Sequence, residues 1–311
     1  MKQAYLIIAH NKFEQLEFLI TLLDYKKHDI YIYVDSKVSI TSHTRKSIMD
    51  KAESSKIIFV DSKPVYWGSY SQIEAEMILF KTAQENDDYN MYHLLSGVDL
   101  PLVSAEQLYH FFELNKGYNF LTMVSDKLFY RNKVEDRVKY HYLFTNINHR
   151  MLSNKILLKL LKIYRKIEKG IQSLFSVNKI KKYDIKLKYA SNWLSLSKEA
   201  VQIIISEEEW INKVFKNSII CDELFVPTVL EKHNLMYTLY SEVPTNDLPT
   251  DFQGNLRYIN WWDGFPYTWT NSEKDMQQLR IAKQKGHMFS RKFDLEKYPN
   301  MKDEILKLIK E

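Results

Sequence analysis

Three stretches carry side chains whose types and order could do chemistry. The first is Tyr92–Leu102, YHLLSGVDLPL. Its apolar start reads as the end of a buried strand. Ser96-Gly97 then turn the backbone and present Asp99, and α/β folds place ligand chemistry at such a strand end. Nucleotide-sugar transferases often hold a divalent metal there with Asp-x-Asp. Here position 97 is Gly, position 101 is Pro, and no two Asp residues anywhere are spaced two apart. A sugar-transfer site built on Asp99 is therefore expected to work without a metal. The second stretch is Asp222-Glu223, read as the start of a helix. Asp222 could cap that helix and Glu223 complement its dipole. Alternatively, Glu223 is a general base kept ionised by the helix N-terminus. The third is Arg291-Lys292, set among Met288, Phe289, Ser290 and Phe293. The pair is either a solvated strand edge or a clamp for a diphosphate.

Three further positions carry double readings. Trp67, beside Gly68, is a packing anchor or a surface for a nucleobase. Asp35, ending a strand, is a turn residue or an acceptor for ribose or uracil. Trp261-Trp262 belongs to the core or forms a platform for a sugar ring.

Elements that would position these residues follow from hydrophobic periodicity. Strands are expected at 4–10, 30–35, 56–61, 91–96, 190–197 and 256–261, with a strand or turn at 287–293. Helices are expected at 12–24, 71–84, from Ser104, 155–175, from Lys198, from 221, at 271–285 and at 301–310. This alternation predicts an α/β fold with a mostly parallel sheet covered by helices on both faces. The rhythm breaks between about 125 and 189. The expected organisation is thus one domain over 1–311: a nucleotide-binding half (1–124), a helical basic insertion (125–189) and an acceptor and catalytic half (190–311). No Gly-x-Gly-x-x-Gly follows the first strand and there is no P-loop, which argues against a dinucleotide site.

With 311 residues, 45% hydrophobic and 27% charged, the chain has an ordinary globular composition. One cysteine, Cys221, excludes an internal disulfide framework and a cysteine-based zinc cluster. The nine histidines show no HExxH spacing. No run approaches a membrane span or a signal peptide. Charge is unevenly placed. Residues 150–188 hold twelve Lys or Arg against two acids, a local +10 on a remainder of −5. This block suggests a local anionic partner rather than general affinity for nucleic acid, for which no readout elements are seen. Within it, Leu157, Leu160, Leu161, Tyr164, Ile167, Ile171 and Leu174 form an apolar stripe. The segment is either an ordinary helix packed on the core or a dock for an anionic membrane surface; in both cases the stripe can bury against the protein.

The blocks AYLIIAHN, YIYVDSK, VYWGSYSQIEAE, YHLLSGVDLPL, ASNWLSLSKEAV, CDELFVPTVL, LRYINW and FSRKFD, in this order, resemble the core 2/I-branching β-1,6-N-acetylglucosaminyltransferases and the related peptide O-xylosyltransferases. The resemblance spans nearly the whole chain. It implies a GT-A-type, Rossmann-like fold, a UDP-sugar donor, inversion at the anomeric carbon and no metal or other cofactor. Glu223 sits where the family's Pro-Asp-Glu places its catalytic base, with Cys221 in place of the Pro. Lys292 matches the lysine that neutralises the UDP diphosphate. The family's second phosphate ligand, an upstream arginine, has no counterpart in PYTWTN (266–271), which leaves Arg291 and Arg257 as candidates. Asp35 and Trp67 align with uridine-contacting positions, and His10 falls with them on the donor side. Trp261 aligns with a tryptophan at the acceptor sugar, and Asp99 and Asp222 are placed with it around the donor sugar and acceptor. The signal anchor, stem and disulfides of animal members are not seen. The expectation is a cytoplasmic, bacterial-type enzyme, peripheral on the inner membrane face, that moves GlcNAc onto a glycan or lipid-linked acceptor. The alternatives are transfer of xylose, or an inactive UDP-sugar-binding protein.

Overall fold

A computed structural model describes residues 1–147 and 152–311. Among the described residues, eight strands form two sheets: β1 (Lys2–Ala9), β2 (His28–Val34), β3 (Lys56–Phe59), β4 (Tyr89–Ser96), β5 (Leu100–Pro101), β6 (Ser195–Ser197), β7 (Arg257–Ile259) and β8 (Phe289–Arg291). The main sheet runs β3-β2-β1-β4-β6 and the small one β5-β8-β7. In the main sheet β1 to β4 are parallel, and β6 joins β4 antiparallel. The expected Rossmann-like, mostly parallel sheet between helices is the one found. β7 and β8 fall within the strand expected at 256–261 and the strand or turn expected at 287–293; the two-residue β5, and the gathering of these three strands into a sheet of their own, were not anticipated. The two sheets are interlocked along the chain: β5 joins the late strands β7 and β8 in the small sheet, and β6 joins the early strands β1 to β4 in the main one.

β1, β2 and β4 are nearly continuous apolar runs because both faces of the sheet are covered. Side chains alternate between two cores, as the strand pleat requires. Ala4, Leu6, Tyr31 and Tyr33 pack with the helices Ser71–Asn86, Lys198–Ser206 and Phe225–Lys232. Tyr5, Ile7, Ile30 and Ile32 pack with Phe13–Leu23, Glu273–Gln284 and Met301–Lys310. Helix starts are set by local chemistry. Ser104 and Gln107 form a reciprocal capping box, and Ser197 accepts from the Ala200 amide.

Two expectations need correction. The helix expected to open at Asp222 begins at Phe225, with Leu224 as its N-terminal flank. Residues 222–224 form a turn before it, so Asp222 is no cap. In the insertion, the helix Lys155–Leu174 forms as expected, but Leu157, Leu160, Ile167, Ile171 and Leu174 face solvent rather than the protein. Only Leu161 and Tyr164 of the expected stripe are half-buried. Arg150, counted in the basic block, lies outside the described residues.

Candidate active site

Because β1, β2 and β4 are parallel, their C-terminal ends share one edge of the sheet, the edge where α/β folds bind ligands. His10 follows β1 and Asp35 follows β2. Asp99 follows the turn after β4, where a side chain at Gly97 would press to 3.2 Å from Ala9 Cβ. β8 delivers Arg291 and Lys292 to the same edge. Asp35, Lys292, Lys37 and Arg291 all act electrostatically on His10, whose pKa is lowered, chiefly by partial desolvation. The sequence-predicted donor-side residues His10, Asp35, Arg291 and Lys292 are therefore brought together.

Their individual roles differ from expectation in three cases. Asp35 is buried and holds its own turn: Oδ1 accepts from the amides of Lys37 (3.0 Å) and Val65 (3.2 Å). Asp99 has no exposed surface and does not face an open site. It accepts from Ser96 N (2.9 Å) and from Arg291 Nη1 (2.7 Å), so it positions Arg291. Ser96 Oγ accepts from Arg291 as well, and the guanidinium lies 4.6 Å from the Trp193 ring centroid. Arg257 is the clearest correction. It is completely buried, and its Nη2 donates to Leu194 O (2.7 Å), Ser195 Oγ (3.0 Å) and Leu94 O (3.3 Å). Those carbonyls belong to β4 and the approach to β6, so Arg257 fastens the small sheet to the large one and does not reach a diphosphate at the sheet edge. Arg291 remains as the arginine next to Lys292.

Glu223 lines a cavity of about 130 Å³ together with Trp261, Tyr189, Ser191, Asp247 and Gln253. The sequence-predicted base and acceptor-side tryptophan thus share one cavity. What holds Glu223 is not a helix N-terminus. Its Oε2 accepts from Arg137 Nη1 at 2.9 Å, and Tyr189 also bonds the carboxylate. Arg137 comes from the short helix Val134–Lys139 in the insertion, a residue that sequence reasoning missed. Desolvation raises the Glu223 pKa, and Arg137 opposes that rise. Directly behind it, Asp222 is buried and accepts from Gln72 Nε2 (2.9 Å) and Asn192 Nδ2 (3.1 Å). Burial, with the Glu223 charge adding to it, pushes its pKa up to about 7. Glu76, also fully buried beside this pair, is raised well above the ordinary range by desolvation, with Asp222 adding to the effect.

Two loops tie these regions together. In residues 190–193, Ala190 and Ser191 line the cavity, Asn192 holds Asp222 and Trp193 stacks on Arg291. The strand expected at 190–197 forms only at Ser195–Ser197, which leaves these four residues in the loop before it. Trp67 is half-buried, and the following Gly68, at φ +74, accepts from the Ile220 amide (2.8 Å). The Trp67 loop therefore rests on the turn that carries Glu223. Among the described residues no group of three His, Cys, Asp or Glu is arranged to hold a metal ion.

The family model described as Core-2/I-Branching enzyme matches residues 3–287. No curated protein matches the chain. Among solved structures, mouse xyloside xylosyltransferase 1 in its apo form is 9% identical, covering 93% of this chain and 97% of that one, with a TM-score of 0.37. The core-mannan synthase A of Aspergillus fumigatus in its Mn/GDP form is 13% identical over 45% of this chain, which spans about half (51%) of that one, with a TM-score of 0.26. The PaToxG glycosyltransferase is 10% identical over 74% of this chain and 69% of its own, with a TM-score of 0.28.

Proposed function

Because the chain belongs to the Core-2/I-Branching enzyme family, a family of glycosyltransferases, we propose that it moves a sugar, GlcNAc in the first instance, from a UDP-sugar to a glycan hydroxyl by a single inverting displacement. The observation that carries this reading is the joint geometry of Glu223 and Arg291-Lys292. A carboxylate and an aromatic ring share one cavity, two cations close the strand ends, and the 190–193 loop touches both. In this reading Glu223 takes the proton of the acceptor hydroxyl. The oxygen attacks the anomeric carbon, the bond to the UDP oxygen breaks, and the electron pair leaves on the diphosphate. Lys292, with Arg291 beside it, offsets that charge without a metal. Trp261 supports the acceptor sugar, and the turns around Asp35 and Trp67 frame the uridine. Burial raises the proton affinity of Glu223 and Arg137 opposes that rise, a combination suited to a general base. The acceptor belongs to surface polysaccharide or glycoconjugate assembly.

A panel of UDP-sugars, read by donor hydrolysis and by thermal stabilisation, tests this. One donor is expected to be hydrolysed slowly and to raise the melting temperature. Glu223→Gln is expected to lower turnover by roughly 10²–10⁴-fold while UDP still binds. Near-normal turnover in that variant would remove Glu223 from the mechanism.

A further inference from the structure

The helix Lys155–Leu174 is amphipathic the wrong way round for a helix packed on a core. Its protein-facing side half-buries Leu158, Leu161 and Tyr164 and is otherwise polar. Arg165 donates to Leu143 O (2.6 Å), Phe144 O (3.1 Å) and Glu168 Oε2 (2.8 Å). Glu168 Oε1 accepts from Leu143 N (2.7 Å), and Gln172 bonds both the amide and the carbonyl of His141. Its solvent side is apolar. Ile156, Leu160, Ile163, Ile167, Ile171 and Leu174 recur at helical spacing, and each is between 44% and 84% exposed. Leu143 and Phe144, in the loop the helix clasps, are exposed as well.

A second row runs beside the first. Lys155, Lys159, Lys162 and Lys166 each precede a residue of the apolar row, which sets them about 100° around the axis from it. All four are exposed. The helix has one acid, Glu168, and it is buried against Arg165. The outward surface therefore joins an apolar ridge to a row of uncompensated positive charge.

We propose that this helix lies in the interface of an anionic lipid bilayer, with the apolar row among the acyl chains and the lysine row at the headgroups. Charge decides between a membrane and a second copy of this chain. A second copy packed along the ridge would leave the lysine rows uncompensated, and in an antiparallel pair would bring them together, whereas an anionic leaflet neutralises them. The helix is also connected to the candidate site. Lys169 pairs with Asp136, and the next residue, Arg137, holds Glu223. Docking along this helix would thus fix the height of the Glu223 cavity above the bilayer, where the acceptor of a surface-glycan enzyme carried on a lipid would be met. The docking surface itself does not depend on the glycosyl-transfer reading, since vesicle binding is measured without donor or acceptor.

The full chain is sedimented with vesicles of phosphatidylcholine alone and of phosphatidylcholine with phosphatidylglycerol, at low and high salt. Binding is expected to the anionic vesicles and to fall at least about tenfold at high salt. Two variants alter exposed side chains only: one changes Lys155, Lys159, Lys162 and Lys166 to Gln, the other Leu160, Ile163 and Ile167 to Gln. Both are expected to keep the wild-type circular dichroism and melting temperature and to lose anionic-vesicle binding by at least about tenfold. Equal binding to neutral and anionic vesicles overturns the proposal, as does undiminished binding by the lysine variant. A concentration-dependent dimer abolished by the apolar variant, with no vesicle binding by the wild type, overturns it in favour of a second copy.

Discussion

Arg137 Nη1 lies 2.9 Å from Glu223 Oε2, although 86 positions separate the two residues in the chain. The segment 125–189 is therefore part of the candidate site. Its short helix Val134–Lys139 supplies the cation that offsets the desolvation of Glu223, and through Lys169 and Asp136 the same short helix meets the exposed amphipathic one.

The pair sets a pH dependence. Glu223 must be ionised to accept a proton, and its pKa is raised by desolvation with Arg137 pulling it back. Turnover is expected to fall on the acid side through a pKa above the ordinary glutamate value of 4.5. Arg137→Gln removes the opposing charge, so the acid limb moves to higher pH. A pH–rate profile of kcat in both proteins checks this. An unshifted limb would mean that Arg137 does not act on the ionisation of the base.

Asp222 sets a pH dependence of stability. Its ordinary pKa of 3.8 becomes about 7 in the fold. The folded state therefore holds this proton more tightly than the unfolded chain. Its contribution is fully present below the unfolded value and is lost as pH rises through the folded one, between about pH 4 and 7. Asp222→Asn keeps an oxygen for Gln72 and Asn192 but cannot ionise. The difference in melting temperature, variant minus wild type, is expected to grow more positive across that window. A difference that stays constant with pH would show that Asp222 keeps an ordinary pKa.

Lys292 and Arg291 are expected to recognise charge rather than the nucleoside. Lys292→Ala weakens UDP by at least about tenfold and uridine little, measured by calorimetry. Arg291→Ala acts in the same direction, and Asp99→Asn, which loosens the hold on Arg291, acts less strongly. Turnover survives excess EDTA. Complete loss on chelation, restored by manganese, would sink both the metal-free reading and the role given to Lys292.

Arg257 is expected to matter for the fold alone. Arg257→Met leaves the Leu94 and Leu194 carbonyls without its guanidinium, at a cost of about 3 kcal/mol in unfolding by denaturant. UDP affinity of the remaining folded protein stays at the wild-type level. A selective loss of UDP affinity with unchanged stability would return Arg257 to the donor site.

By itself the sequence determined what local pattern can encode. Unbroken apolar runs specified β1, β2 and β4, because strands covered on both faces need no polar alternation. The order of strands and helices specified a parallel sheet, and a parallel sheet gathers the residues after its strands on one edge. The donor-side roles of Asp35, Trp67, Lys292 and Arg291, the role of Glu223 as base and the acceptor-side place of Trp261 are what the family resemblance implies; the parallel sheet is the physical reason that His10 and Asp35 reach one edge. Tertiary structure decided what depends on contacts between distant segments. An arginine in a short apolar stretch carries no mark in the sequence of whether it is buried. Arg257 and Arg291 looked alike as phosphate ligands, yet one is enclosed by strand carbonyls and the other leans on Trp193 at the edge. Arg137 had no local signal, because its partner lies in another part of the fold. Periodicity revealed an apolar stripe on the Lys155–Leu174 helix but not the direction it faces. Rotation about the helix axis is fixed by the Arg165, Glu168 and Gln172 hydrogen bonds to residues 141–144, and these turn the stripe to solvent.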